Sequence, residues 1–403
     1  MTVYRDAKPE ETDEIVDLIN YAFGMQAQKI LAKAYAESGE TLASRHKVAV
    51  DETTGRIVAS VGVYPQTMHV GGRQLNVMFL GCVCVHPRSR GEGHMGRLIG
   101  MWHDELRAEG NTDLMVLWGL RHRYAYFGYT PCGYDYTYSV NQSCAKHALA
   151  GVDTAGITFR TLFSRDGDAQ LADRLNRARL VYAERPLPVI DRICTYLNSE
   201  AIAIDRNGEP IGYLIRALAD PSVVREIALA DPADAPAVAK AYLASLAVCR
   251  KEAFTVRVSP TDAALNEQFA AFGEDTKIGC LCRCTIFDYA TVLDAYLSAA
   301  ARLWRLEPGR FSAVLDGQPV TITVSEREAD DDGHAVVGSG LDRTTGRQSV
   351  TVERTADPDA PRLSHMDAQD LLLGLGARFR HDLPVAPAGW FPLPMCWYWP
   401  DLN

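Results

Sequence analysis

The residue types best suited to chemistry lie in one stretch, from Val83 to Leu98. Its centre reads Arg90-Gly91-Glu92-Gly93-His94-Met95-Gly96. The three glycines let the backbone approach a ligand closely, and a helix that starts directly after them presents unpaired N–H groups and the positive end of its dipole. Nearby positive charge comes from Arg88, Arg90 and Arg97, against the single carboxylate of Glu92. The stretch therefore predicts a site for pyrophosphate or a similar anion.

The elements around this loop are those that a phosphate site needs. The β-rich run before it ends in Val83-Cys84-Val85, and a strand is predicted after it at Leu114–Trp118. Between them, apolar residues recur with the helical period at Met95, Leu98, Ile99, Trp102 and Leu106. A tight turn without a ligand is the alternative interpretation, but a second motif, Arg123 to Tyr129, follows about 30 residues later and favours ligand binding.

Length and composition limit the class of protein. The chain has 403 residues and a formal charge of −10, with 47% hydrophobic and 23% charged residues. Two or three globular domains are expected, because one ordinary core does not support this length. The negative charge disfavours a nucleic acid or an anionic membrane as the main partner. Since no long apolar stretch or signal peptide is visible, we expect a cytoplasmic protein.

The order of predicted elements divides the chain into three parts. Residues 1–150 combine a strand at Thr2–Arg5, a helix and a long hairpin that turns at Gly71-Gly72. Residues 151–287 partly repeat that order. Where the first part has its glycine loop, the second has Ala230–Pro236, whose two prolines lack N–H groups and whose two aspartates would repel a pyrophosphate, so we expect no nucleotide there.

The third part, residues 288–403, begins with a predicted helix at Tyr289–Leu303 and returns to a helix at His365–Leu373. Its end is rich in proline and in large aromatic residues, from Trp390 to Trp399. Such a tail is costly to leave in water, so it is expected to dock on the protein.

Other residues with chemical potential have structural interpretations as well. The position of His94 predicts that its amide matters and that its ring faces solvent or the helix, whereas His103 and His122 are expected to be surface or structural residues. Arg121–Arg123 is a candidate contact for an adenosine 3′-phosphate. Three cysteines alternate along one predicted strand, at Cys280, Cys282 and Cys284. Alternation places them on one sheet face with no histidine nearby, which favours a packed strand over a metal site, and no metal is expected.

Together the two motifs resemble the GNAT acetyltransferase superfamily. Arg90 to Met95 looks like its acetyl-coenzyme A signature R/Q-x-x-G-x-G/A, with Met95 where Gly or Ala is usual, and Tyr124–Tyr129 looks like the Y-x-x-F-G-Y that follows it. The earlier frame Arg88-x-x-Gly91-x-Gly93 fits without a departure. A bulky residue at that position, a second half without its own loop and a final domain similar to sterol carrier protein resemble the enhanced intracellular survival (Eis-like) N-acetyltransferases.

The resemblance implies an α/β (α+β) fold in which tandem GNAT-like mixed sheets with flanking helices precede a C-terminal sterol carrier protein-like α/β domain. It implies a catalytic domain at 1–150, a degenerate GNAT-like domain at 151–287 and the sterol carrier protein-like domain with its tail at 288–403. It also implies a homo-oligomer, of the hexamer type.

The resemblance also implies roles for individual residues. The strand around Val83 would bind the pantetheine and polarise the acetyl carbonyl, and the glycine loop would hold the pyrophosphate. The implied acetyl-coenzyme A contacts are Val83, Cys84, Val85, Arg90, Gly91, Glu92, Gly93, His94, Met95, Gly96, Gly119 and Leu120. The last two stand where the family usually has Ser-Glu. Tyr124 matches the tyrosine that protonates the departing thiolate, and the base would be the terminal carboxylate of Asn403, with Asp401 or water as alternatives.

These features predict an acetyl-coenzyme A-dependent N-acetyltransferase that acts by direct transfer on a primary amine. A phenol such as Tyr124 can donate a proton to the coenzyme A thiolate, although a core aromatic is its alternative role. The acceptor would be a cationic small molecule or a lysine side chain, which suits an acidic protein. Two alternatives stay open: a non-catalytic protein that binds coenzyme A or a lipid in the sterol carrier-like pocket, and an acyltransferase for a specialised amine in a biosynthetic pathway.

Overall fold

The computed structural model describes residues 1–24, 42–326 and 348–402. The predicted terminal base, Asn403, therefore lies outside the described residues. The strands are β1 (Thr2–Asp6), β2 (His46–Asp51), β3 (Arg56–Val70), β4 (Arg73–Val85), β5 (Leu114–Leu117), β6 (Thr130–Asn141), β7 (Ile157–Thr161), β8 (Val181–Ala183), β9 (Ser199–Arg206), β10 (Glu209–Ala217), β11 (Val223–Leu229), β12 (Ala253–Val258), β13 (Asp275–Ile286), β14 (Gly309–Leu315), β15 (Gln318–Glu326), β16 (Gln348–Glu353) and β17 (Arg362–Leu363).

Helices lie between these strands. The described α-helices are α1 (Thr12–Phe23), α2 (His94–Glu109), α3 (Arg121–Ala125), α4 (Gln142–Lys146), α5 (Asp168–Arg177), α6 (Ile190–Cys194), α7 (Ala235–Ser245), α8 (Ala263–Phe272), α9 (Tyr289–Leu303) and α10 (His365–Leu373). The predicted helices at Tyr289–Leu303 and His365–Leu373 are confirmed at both ends. The second begins cleanly because the Ser364 hydroxyl accepts a hydrogen bond from the Asp367 amide.

Thirteen of the described strands form one mixed sheet. Its order is β1-β2-β3-β4-β5-β13-β6-β12-β11-β10-β9-β7, with β8 paired to β3. Two of its pairs are parallel, β4 with β5 and β11 with β12. A second sheet of four strands, in the order β16-β15-β14-β17, lies in the C-terminal region. The mixed α/β fold predicted from the sequence is confirmed, and the expected tandem sheets are joined into one.

The strand β13 joins the two halves of this sheet. It comes late in the chain yet pairs with β5 through Arg283–Ile286 and with β6 through most of its length. Its three alternating cysteines are free, with Cys282 and Cys284 buried and Cys280 half-buried, in agreement with the packed-strand interpretation. The chain after it returns through α9, whose apolar face packs in the same core as α1.

The long hairpin is confirmed. β3 and β4 pair from Val70–Arg73 onwards around Gly71 and Gly72, whose φ angles of 60° and 90° are the left-handed values that a two-residue turn needs. The docking of the tail is confirmed too. Trp390 and Leu402 are fully buried in the largest core, which also includes α1 and α9.

Candidate functional site

The parallel strands β4 and β5 separate partway along their length. They pair only from Val77–Leu114 to Phe79–Val116, after which β4 continues to Val85 while β5 ends at Leu117. Among the described strands, β13 pairs with the other edge of β5, and β3 pairs with the other edge of β4. The edge of β4 beyond Leu80 is therefore left open for a ligand.

A bulge bends β4 at this opening. The register with β3 shifts between Ser60 and Gly62, and Cys82 has a φ of 51°, which is unusual for a residue with a side chain. Bulges of this kind redirect a strand locally and concentrate at functional sites. The open edge therefore presents Val83 and Val85 at an angle to the rest of the sheet.

A buried chain of polar groups lies behind the bulge. The His46 ring is 2.7 Å from the Ser60 hydroxyl through Nδ1 and 3.0 Å from the Tyr64 hydroxyl through Nε2. Burial lowers the pKa of His46 to about 3, so its ring is neutral near pH 7. Burial also raises the pKa of the Cys82 thiol to about 11, against a hydrogen bond with Tyr64. These hydrogen-bonded groups therefore support the bulge without placing a charge or a reactive thiolate there.

The glycine loop connects the open edge to α2. Gly91 and Gly93 have φ angles of 89° and 81°, and a Cβ atom at either position would project into open space. The helix starts at His94 directly after Gly93, so the N–H groups of its first turn have no intrahelical partner. These are the features of a backbone cradle for an anion.

The open edge, the loop and the helix N-terminus surround one cavity of about 680 Å³. The expected cofactor contacts that line it are Val83, Cys84, Val85, Arg90, Gly91, Gly93, His94, Met95 and Gly96. Five further lining residues are Ala22, Phe23, Ser89, Arg123 and Phe127. Of these, Arg123 and Phe127 belong to the second motif and Ser89 to the first stretch, so the sequence already indicated them. Ala22 and Phe23 end α1, and no sequence signal connects them to the loop.

Three of the expected contacts do not line the cavity. Glu92 is bonded to the His94 ring, Leu120 is 64% exposed, and Gly119 lies against the ring of Tyr124. A Cβ at Gly119 would be 2.5 Å from Tyr124 Cε2, so the missing side chain makes room for that ring. Gly119 has the role of a packing position in this structure.

The expected basic residues are also separated. Arg90 and Arg123 line the cavity, whereas the Arg97 guanidinium lies 4.4 Å from the centre of the Tyr4 ring. Arg121 lines a different cavity from Arg123, although both belong to α3. The two arginines therefore do not form one cluster, because residues two positions apart lie on nearly opposite sides of a helix.

Of the two environments predicted for the His94 ring, solvent and the helix, the structure excludes the first. The ring is buried, with Nδ1 2.8 Å from the Tyr4 hydroxyl and Nε2 3.2 Å from Glu92. His103 is a structural residue, 3.0 Å from the buried Tyr129 hydroxyl, and His122 is exposed. Burial lowers the pKa of His103 to about 4.

Tyr124 lies in the core beside α2. It is 9% exposed, and its ring packs edge-on against Tyr129 at 6.1 Å between centres. Burial raises the pKa of its hydroxyl, which keeps the phenol protonated near neutral pH. No hydrogen bond to this hydroxyl occurs within the described ranges, and Tyr124 does not line the cavity, although Phe127 of the same turn does.

The C-terminal region holds the turn that carries Tyr124. The Gly128 carbonyl oxygen accepts a hydrogen bond from Gln369 Nε2 at 2.8 Å and lies 3.0 Å from His365 Nε2. The other end of the Gln369 amide accepts a hydrogen bond from Ile286 of β13 at 2.8 Å. Thus α10 connects the second motif to the strand that joins the sheet.

The tail approaches the same region from another side. The Trp399 ring contacts that of Trp118, at 5.2 Å between centres, one residue before Gly119. The Asp401 carbonyl oxygen accepts a hydrogen bond of 2.9 Å from Gln66 of β3. The end of the described chain is thereby anchored to β3 and to the segment that follows β5.

Asp401 itself is poorly suited to act as a base. Its two carboxylate oxygens accept hydrogen bonds of 2.8 and 2.9 Å from Arg185, and the side chain is buried. Arg185 also binds both oxygens of Glu226 at 2.9 Å. A carboxylate held by a bidentate ion pair gives up its partner only at a large cost in free energy, so Asp401 has a structural role here.

Within the described ranges, no helix combines the length and apolar character needed to cross a membrane. In the same ranges, no group of three or more His, Cys, Asp or Glu side chains is arranged to hold a metal ion.

Comparison with known proteins agrees with this geometry. Residues 3–136 match the family model of the acetyltransferase (GNAT) domain, so the N-terminal part of the chain carries a domain of the GNAT type. No curated protein matches the chain significantly.

Solved structures resemble nearly the whole chain. GCN5-related N-acetyltransferase from Anabaena variabilis ATCC 29413 has a TM-score of 0.60 and 14% identity, over 92% of this chain and 90% of that one. Eis1 from Mycobacterium abscessus has a TM-score of 0.60 and 15% identity, over 93% and 90%. A conserved protein of unknown function from Enterococcus faecalis V583, described as a probable N-acyltransferase, has a TM-score of 0.62 and 16% identity, over 92% and 90%. At these identities the likeness concerns the fold.

Proposed function

We propose that the protein is an acetyl-coenzyme A-dependent N-acetyltransferase that acts directly on a primary amine. The observation that carries the proposal is the single cavity that joins the open edge of β4 to the glycine loop and the N-terminus of α2. A long anionic thioester fits such a cavity, with its phosphates at the amides of Gly91 to Gly96 and its acyl end along Val83 and Val85. Arg90 and Arg123 supply compensating charge.

Acetyl-coenzyme A supplies an acyl carbon activated by a thiol leaving group. The backbone groups of Val83 and Val85 orient the thioester and polarise its carbonyl. The acceptor nitrogen uses its lone pair to form the C–N bond, the C–S bond breaks, and the sulfur takes a proton from the Tyr124 hydroxyl. The raised pKa of Tyr124 keeps that proton in place near neutral pH. Because the Tyr124 ring is buried, either its side chain must rotate towards the cavity or the turn that carries it must move before the hydroxyl can reach the sulfur.

The amine loses its proton to a base at the end of the chain. The terminal carboxylate of Asn403 is the proposed group, with water as the alternative. Support comes from the contact of Trp399 with Trp118, which holds the described tail beside the segment before Tyr124, and from the hydrogen bond of Gln66 to the Asp401 carbonyl oxygen. Asp401 is set aside because Arg185 binds it.

The acceptor is proposed to be a cationic small molecule or a lysine side chain, in line with the charge of −10. We further propose that the chain is organised in a catalytic part (1–150), a second GNAT-like part (151–287) and a sterol carrier protein-like part (288–403), and that it assembles as a hexamer-type homo-oligomer.

Tyr124→Phe tests the central step. We expect kcat to fall about a hundredfold or more, with little change in the KM for acetyl-coenzyme A, because general acid catalysis contributes on that scale. Tyr126→Phe is the matched control, since Tyr126 is 88% exposed in the same turn. The measurement is thiol release from acetyl-coenzyme A across a panel of amines.

Two results would count against the proposal. Unchanged turnover in Tyr124→Phe would remove the tyrosine from the mechanism. Coenzyme A binding without amine-dependent thiol release for any amine would favour a non-catalytic binding protein.

A further inference from the structure

A second cavity, of about 450 Å³, lies between β13, the start of α3 and the segment after α10. Three of its lining side chains are arginines, Arg121, Arg283 and Arg380, and one is a carboxylate, Asp370. Its volume is in the range of small-molecule sites. None of its lining residues lines the first cavity.

The three arginines differ in how their charge is compensated. Arg380 binds Asp367 at 2.9 Å and Asp370 at 3.1 Å, so its charge and that of Asp370 are already paired. Across the described ranges, Arg121 and Arg283 have no carboxylate partner within ion-pair distance. Two arginines whose charge no described carboxylate compensates therefore line the same cavity.

Arg283 is also incompletely satisfied. Its Nη1 group donates hydrogen bonds to the carbonyl oxygens of Cys282 at 2.7 Å and Leu281 at 3.4 Å. Its Nε atom, however, is buried and lacks a hydrogen-bond acceptor among the described residues. A buried donor on a charged group is costly unless an acceptor from elsewhere reaches it.

The charges of Arg121 and Arg283 converge on the same place. Burial raises the pKa of the Cys280 thiol, which lines this cavity, and both guanidinium groups act in the opposite direction on it. The cavity therefore combines a positive potential with enough room for a ligand of several heavy atoms.

We propose that this second cavity binds a small molecule that carries an oxyanion, a phosphate or a carboxylate, between Arg121 and Arg283. A guanidinium pair is suited to such groups because its N–H donors match their oxygen atoms in spacing and charge. Arg121 is the first residue of α3, the helix that also carries Tyr124 and Arg123. A bound anion would tie the start of that helix to β13.

Calorimetric titration of the full-length protein with inorganic phosphate and with succinate, at low ionic strength, tests the proposal. Arg121→Gln and Arg283→Gln should each weaken binding about tenfold, the loss expected for one charge-assisted contact. Arg378→Gln is the matched control, because Arg378 is exposed next to this segment and does not line the cavity. Arg121→Gln keeps the test valid if Arg283→Gln fails to fold.

Binding of either anion that is weakened in both variants and kept in Arg378→Gln supports the proposal, and the preferred probe identifies the group. Two results overturn it: no binding of either anion to the wild-type protein, or equal affinity in Arg121→Gln, Arg283→Gln and Arg378→Gln. The second result would mean that the anion binds elsewhere, such as at the glycine loop. Acetyl transfer is not measured, so failure here leaves the proposed function untouched.

Discussion

The two parallel strand pairs of the large sheet open in the same way and are filled differently. β4 and β5 pair over three residues, and β11 and β12 pair only at Val223–Thr255 and Val224–Val256 before β11 continues to Leu229. Beyond β4 lies an open cavity lined by glycine backbone. In the part of β11 that no longer pairs with β12, Glu226 is buried in ion pairs with Arg179 and Arg185.

The C-terminal tail contributes to the filling of the second opening. The Tyr398 hydroxyl donates a hydrogen bond of 2.7 Å to Asp262, which follows β12, and the Arg179 guanidinium lies 3.9 Å from the centre of the Tyr398 ring. Asp401 adds a second carboxylate to Arg185. The same strand geometry thus leaves room for a ligand in one place and holds the protein's own tail in the other.

The turns after the two strands differ in their available amides. In the second turn, the Asp231 side chain accepts a hydrogen bond from the Ala233 amide at 2.9 Å, and the Asp231 carbonyl accepts one from the Asp234 amide at 3.1 Å. Pro232 and Pro236 have no amide hydrogen. The first turn has Gly91 and Gly93 instead. Neither α2 nor α7 has a capping side chain that accepts a hydrogen bond from its first turn. The two turns therefore differ in the prolines and aspartates of the second turn, which remove or occupy amide donors, and not in their helix caps.

The largest expected effect comes from breaking the second region. Arg185→Met would leave Glu226 and Asp401 buried with too little positive charge, and we expect the free energy of unfolding to fall by about 3–5 kcal/mol, measured by urea denaturation. Coenzyme A affinity should be kept. Combining Arg185→Met with Glu226→Gln and Asp401→Asn should recover part of the loss, and no recovery would argue that packing, not charge, dominates there.

A substitution in the glycine loop, at the first opening, should instead weaken coenzyme A binding. Gly93→Val places a β-branched residue at a φ of 81° and projects its side chain into the cavity. We expect coenzyme A to bind about a hundredfold more weakly by calorimetry, since both the loop conformation and the space are lost. Asp231→Ala, in the corresponding turn, is the control and should leave coenzyme A affinity unchanged. Equal losses in both variants would contradict the comparison.

A smaller effect should distinguish the two regions by pH. His46 lies behind the first opening with a pKa of about 3, below its ordinary 6.5, so the unfolded chain binds more protons between these values. The free energy of unfolding should therefore decrease as the pH is lowered below about 6.5, and at pH 5 the loss should be about 2 kcal/mol. Glu226, with a pKa lowered to about 2, loses its contribution only below about pH 4.5.

Urea denaturation at pH 7 and pH 5 measures this difference. His46→Gln should flatten the change in unfolding free energy by about 2 kcal/mol, relative to the wild-type protein. His147→Gln is the control, since His147 is exposed. If the free energy of unfolding changes equally between pH 7 and pH 5 in the two variants, the assignment of a neutral, buried His46 is wrong.

Much of the local structure was predictable because it depends on near neighbours in the chain. The hairpin at Gly71-Gly72, the strand that begins at Leu114 and the helix Tyr289–Leu303 follow from turn residues and apolar periodicity. The glycine loop was visible for the same reason. Ala22 and Phe23 were harder to assign, because only the packing of α1 brings them to the loop.

The sequence by itself determined that Gly91 and Gly93 form a flexible, donor-rich start to a helix, that the second turn lacks such donors, and that the aromatic tail must be buried. Only the tertiary structure decided that β13 lies between β5 and β6, that His94 is buried, and that Arg185 binds Asp401 and Glu226 together. Backbone conformation and hydrogen-bonding capacity are properties of a few adjacent residues. Strand order and ion pairing between residues more than 200 positions apart depend on how the whole chain packs.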